Sequence, residues 1–142
     1  MIAAAARHAE GVDLALGAEL AQLAPAIELA RSEASGQVSL GAFVNVAVHP
    51  DRQTARQLVR GNVAIFAAFQ RNALEGQPSD EDFIDRFAVA GPADEVTARL
   101  RAIGAAGIDR LIVVPGSLNA DPAALEESDQ RFASEVLPRL SA

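Results

Sequence analysis

Cysteine is absent from the 142-residue chain. Disulfides, thiolate nucleophiles and cysteine-ligated metals are thereby excluded, and the composition fits a cytoplasmic location. Lysine is absent too, so all 12 cationic residues other than histidine are arginine. With 19 acidic residues the formal net charge is −7. Such a chain lacks the basic surface that displaces counterions from nucleic acid or from an anionic membrane. No apolar run approaches the roughly 20 residues of a bilayer span. The opening Met1-Ile2-Ala3-Ala4-Ala5-Ala6-Arg7 is apolar before it is basic, the reverse of a secretory signal peptide. There is no phosphate loop of the Walker type and no G-x-G-x-x-G after a strand. The run Asp80-Glu81-Asp82 reads as a charged helix start, since without histidine or cysteine nearby only a hard cation could use it. No metal is expected.

Half of the residues are apolar, enough to bury a core in one domain or in part of a larger one. The pattern alternates helix and strand. Met1 to Ala9 reads as the tail of a helix. Gly11 to Gly17 is a short apolar run between glycines, suited to a buried strand. Glu19 to Ala34 has helical spacing, with the helix proper expected near Ala24 because Pro25 suits a first turn. Val38 to Val48 is the strongest strand, with Val44, Val46 and Val48 on one face and Phe43, Asn45 and Ala47 on the other. Asp51 is placed to cap a helix from Arg52 to about Leu74, whose apolar stripe is Leu58, Val59, Val63, Ile65, Phe66 and Phe69. A turn at Gly76 to Pro78 precedes a short helix capped by Ser79, with Asp82 at the capping-box position. Gly91 suits an N-cap and Pro92 the first position of a helix that stops at Gly107. Asp109 to Val114 is a strand, and Asp121 with Pro122 opens a last helix to Leu140. About three strands separated by helices imply a mainly parallel sheet, too few to close a barrel.

No complete catalytic constellation is present, and the catalytic residues are unknown. His8 lies on a helix and reads as a surface residue. His49 ends a strand: it is either a solvated turn residue before Pro50 or a residue of the rim where parallel sheets bind ligands. Asn45 is a lone amide in an apolar strand and must be hydrogen-bonded, to protein, water or ligand. Gly17, Gly116 and Ser117 follow strand ends, where backbone N–H groups can approach a ligand, although ordinary turns use the same residues.

Three stretches resemble the luciferase-like monooxygenase superfamily. Ala6-Arg7-His8-Ala9-Glu10-Gly11-Val12-Asp13-Leu14 is similar to its helix-to-strand passage "A-x-x-A-D-G", with Glu10 where Asp is usual. Phe87-Ala88-Val89-Ala90-Gly91-Pro92-Ala93-Asp94-Glu95-Val96 is similar to "F-x-x-x-G-T-P-E-E-V", with Pro92 for Thr. Ala106-Gly107-Ile108-Asp109-Arg110-Leu111-Ile112-Val113 is like the "A-G-V-D" lead into the eighth strand, and Glu135 to Leu140 looks like the closing helix. Their order spans nearly the whole chain.

The resemblance implies an α/β fold: a partial (β/α)8 barrel, one domain over residues 1–142. It would hold about strands 6–8, with a long helical insertion. It implies a flavin- or deazaflavin-dependent oxidoreductase that transfers hydride or activates oxygen for a small-molecule substrate, using the deazaflavin coenzyme F420 or FMN. The arginine-only, alanine-rich bias fits GC-rich actinobacteria, where deazaflavin members are common, and tilts the expectation that way. Gly17, Asn45, His49, Gly116 and Ser117 are the cofactor-site candidates by position. Nothing in the chain resembles the family's first five strands, so no catalytic residue carries over. A partial barrel leaves open edges at Val12–Leu16 and Leu111–Val114, which implies a homo-oligomer or a partner chain that completes the ring. A non-catalytic barrel remnant and a small ligand-binding α/β domain are the competing readings.

Overall fold

The computed structural model describes residues 1–70 and 79–140. The expected end of the long helix at Leu74, the turn at Gly76 to Pro78 and the side chains of Phe69 and Asp80 lie outside the described residues. Four strands form one sheet: β1 (Gly11–Leu14), β2 (Ser39–Val48), β3 (Ala88–Gly91) and β4 (Arg110–Val114). Every pairing is parallel, as strand–helix alternation requires. β2 is the hub. Gly41 and Ala42 pair with both β1 and β4, so those two strands lie on opposite sides of β2. Asn45 pairs with both Ala88 and Val114, so β3 also lies opposite β4. The strands at Val12, Phe43 and Leu111 are thus parallel neighbours, as expected. The fourth strand, β3, was not anticipated: Gly91 ends it rather than capping a helix, and Pro92 stands at the N-cap instead. The physical reason is the ladder, for the His49 N–H donates to the Gly91 carbonyl at 3.1 Å.

The helices are α1 (Ile2–His8), α2 (Leu20–Glu33), α3 (Arg52–Gln70), α4 (Asp80–Phe87), α5 (Ala93–Ala105), α6 (Pro122–Arg131) and α7 (Leu137–Leu140). A π-helical turn, Phe132–Val136, joins the last two. α2 begins at Leu20 and keeps Pro25 in its interior, not in its first turn. Leu23 explains this: it is fully buried in the core and holds the extra turn in place, while Pro25 faces solvent. The side-chain caps of α3, α4 and α6 follow expectation. Asp51 Oδ2 accepts the Thr54 N–H at 2.8 Å, Ser79 and Asp82 form a reciprocal capping box, and Asp121 accepts the Ala124 N–H at 3.0 Å.

The sheet's two faces differ. Val12, Leu14, Leu40, Ala42, Val44, Val46 and Val48 enter a core shared with Leu23, Ile27, Leu100 and Ile103 of α2 and α5. On the other face, α3 and α4 cover only the end of the sheet near Ala47, Ala88 and Ala90. Below them the face is open. Asp13, Gly41 and Arg110 share one rung, and the Asp13 carboxylate meets Arg110 Nη2 at 2.5 Å across the glycine. Phe43, two residues along β2, is 40% exposed.

Candidate functional site

In a parallel α/β sheet the strand C-terminal ends gather the loops that bind ligands. Here those ends meet α3. β1 runs on into Ala15 to Ala18, β2 carries Phe43 and Asn45 toward its end, and β4 ends at Val114. A cavity of about 400 Å³ opens between them, within the range of small-molecule sites. The sheet contributes Phe43, Asn45 and Val114; Ala15 and Gly17 form one margin; Asn62, Ile65 and Phe66 of α3 and Phe87 complete the wall. Phe66 stacks on Phe87 with ring centroids 5.4 Å apart, and Phe83 continues the stack at 6.1 Å. Ile65, expected in the buried stripe of α3, is 59% exposed, because it stands at the cavity rather than in the core.

The polar content is one amide relay. Asn45, 6% exposed, donates through Nδ2 to the Phe87 carbonyl at 3.4 Å. Asn62 Nδ2 donates to Asn45 Oδ1 at 3.2 Å and to the Pro115 carbonyl at 3.4 Å. Among the described residues, no ionisable side chain lines the cavity.

The five positional candidates separate into two groups. Gly17 and Asn45 line the cavity. Gly17 has φ +87, and a Cβ there would sit 2.5 Å from the Arg86 carbonyl oxygen, so both conformation and space demand glycine. His49, Gly116 and Ser117 are not among the lining residues. His49 belongs to a local turn, its Nδ1 accepting the Asp51 N–H at 3.0 Å. Gly116 and Ser117 are buried against α3. The Ser117 N–H donates to the Leu58 carbonyl at 2.6 Å, and Ser117 Oγ accepts the Asn62 N–H at 2.8 Å. Ser117 therefore meets both members of one helical step, the kind of insertion that bends a helix. A Cβ on Gly61, one residue earlier, would lie 3.0 Å from Ser117 Cβ. The β4 loop thus fixes the height of Asn62 along the sheet.

Asn62 was missed from the sequence. Its signal was available: it stands four residues after Leu58 and four before Phe66, an amide on an otherwise apolar stripe. The ionisable groups cluster elsewhere. Arg56 binds Glu81 Oε2 and Asp85 Oδ1, each at 2.6 Å, strapping α4 to α3. Glu81 is held below the usual carboxylate range by that guanidinium, and burial holds the Arg99 guanidinium below its ordinary value. Within the acidic run at the start of α4, Glu81 serves the arginine pairs and Asp82 the Ser79 cap. Among the described residues no group of His, Cys, Asp and Glu could hold a metal.

Solved structures share this arrangement of a parallel sheet and flanking helices. A coenzyme F420-dependent tetrahydromethanopterin reductase from Methanopyrus kandleri superposes with a TM-score of 0.71 over 99% of this chain at 19% identity. The monooxygenase RslO1 from Streptomyces bottropensis gives 0.63 over 96% at 24% identity. An F420-dependent secondary alcohol dehydrogenase, solved with an F420–acetone adduct, gives 0.69 over 98% at 15% identity. These neighbours are luciferase-like oxidoreductases, and the likeness expected from the three sequence stretches holds at the level of the fold. The chain spans less than half the length of each: 48%, 44% and 45%. No family model and no curated relative matches the chain.

Proposed function

We infer that this chain supplies the last three staves of a luciferase-like oxidoreductase barrel, with β1, β2 and β4 as strands six to eight. Its cavity then takes the ring system of the deazaflavin coenzyme or of FMN. The observation that carries this reading is the cavity's place and lining: strand C-terminal ends, apolar and aromatic walls, and a single amide relay. The described lining suits a planar ring and not a phosphate, because no cationic side chain among the described residues belongs to it. Such a ring, when bound, accepts or gives up a hydride or, as reduced flavin, reduces dioxygen. The chain's own residues exclude water along Phe43, Phe66 and Val114 and orient the ring edge at Asn45 and Asn62. The described lining residues carry no ionisable group and so move no proton. Proton steps fall to groups contributed from elsewhere.

The remainder of the ring would cover the open face around Phe43 and the Asp13–Arg110 pair, supplied by another chain or a second copy. A cytoplasmic location belongs to the same reading; no helix among the described residues is long and apolar enough to cross a membrane. A second reading is a small ligand-binding α/β domain whose cavity takes another small molecule. Fluorescence titration with FMN and with the deazaflavin coenzyme tests both. Saturable one-to-one binding with Kd below about 1 mM is expected for at least one of them. Binding of neither, alone or with the completing chain, contradicts the oxidoreductase reading.

A further inference from the structure

Among the described residues, the relay leaves two hydrogen-bonding positions without partners. The Phe87 and Pro115 carbonyls can only accept, so each must face an amide N–H, which fixes the orientation of both asparagines. Asn45 Oδ1 is then occupied by Asn62 Nδ2. What is left is the Asn62 Oδ1 acceptor, which takes no hydrogen bond among the described residues, and the second N–H of Asn45. Both residues line the cavity. An acceptor on one amide and a donor on the amide bonded to it are the complement of an N–H next to a C=O, the edge that a cyclic imide or lactam presents. The surrounding walls are largely apolar and include the stacked Phe66 and Phe87. A ring without such an edge would bury the free amide groups unpaired, at a cost that makes the site selective.

We propose that Asn62 and Asn45 form an imide-reading pair, Asn62 Oδ1 accepting a ring N–H and Asn45 Nδ2 donating to the adjacent ring carbonyl. This rests on the ring-binding reading above and deepens it. The pyrimidinedione edge is common to flavin and deazaflavin, so this pair holds either and does not choose between them. Ser117 acts as a positioning residue, since its bond to the Asn62 N–H sets where that amide stands.

Two ligand pairs test the proposal on the intact chain by titration calorimetry: lumiflavin with 3-methyllumiflavin, and lumazine with 3-methyllumazine. Methylation replaces the N–H and leaves the ring otherwise unchanged. The expected result is about tenfold weaker binding of each methylated ring, the worth of one hydrogen bond, and loss of that discrimination in Asn62→Leu. Equal binding of lumiflavin and its methyl derivative overturns the imide pair and leaves the cofactor reading standing. Binding and discrimination of the lumazines without any binding of the flavins does the reverse. Binding of neither pair overturns both. Because the methyl comparison uses the unaltered chain, the outcome does not depend on whether Asn62→Leu folds.

Discussion

At the scale of single residues, the glycines show how close packing differs from apparent crowding. A Cβ on Gly116 would lie 2.8 Å from the Leu58 carbonyl oxygen and 2.6 Å from Leu125 Cδ2, and the first of these belongs to a helix backbone that cannot step aside. A Cβ on Gly41 would strike Asp13 Oδ1, the far end of a side chain. The Asp13–Arg110 pair is half exposed, where an ion pair is worth about 1 kcal/mol or less. Gly116→Ala is therefore expected to cost about 1–3 kcal/mol through overpacking. Gly41→Ala should cost less than about 1 kcal/mol, part of it returned by the restricted unfolded chain. Urea unfolding of the two variants checks the order; equal losses would contradict it. Asn45 was legible in the sequence because it interrupts a valine strand. Gly116 and Ser117 were legible as strand-end residues but not as a clamp on α3, because their partners lie over 50 positions away.

At the scale of elements, the helix starts with a side-chain cap were the most legible features, because a cap is a local contract between a side chain and the next turn. Asp51 and Asp82 both lie below the ordinary carboxylate range, chiefly through side-chain hydrogen bonds to Thr54 and Ser79 respectively. A carboxylate depressed in the folded state stabilises it at pH values above the unfolded pKa, and that contribution disappears as pH falls through the folded value. Stability should thus decline below about pH 4. The double variant Asp51→Asn/Asp82→Asn keeps a cap oxygen at both sites and removes the titration. It should be less stable than the parent at pH 7, and the gap should close by about pH 2 in acid-unfolding curves; a gap constant with pH would contradict the assignment. What escaped at this scale was tertiary in origin. The first turn of α2 exists because Leu23 is buried, and β3 exists because β2 offers it a ladder; neither cause is written nearby in the chain.

At the scale of the whole molecule, the sheet is covered on one face and partly bare on the other. Among the described residues β4 pairs only with β2, leaving its outer edge free, and Phe43 stands on the bare face. Free parallel edges and exposed apolar surface recruit further strands. Self-association at micromolar concentration is the expected result in sedimentation equilibrium, weakened in Phe43→Glu; a stable monomer with or without the substitution would contradict it. The parallel strand trio was readable from alternating periodicities, whereas the cavity was readable only in part. Gly17 and Asn45 lie at strand ends, where parallel sheets place ligands, but Asn62 reaches the site from a helix whose height is set by the loop after β4. A second cleft, lined by Glu19, Asp82, Asp85, Arg86 and Arg99, is charged; the central claim is that the apolar cavity, and not that cleft or the rim at His49, receives a flavin-type ring. Backbone and side-chain amide resonances of the chain, followed by NMR as FMN is added, test it most directly. Shifts confined to Gly17, Phe43, Asn45, Asn62 and Val114 are predicted; shifts centred on His49 or on the charged cleft, or none at all, would contradict the account.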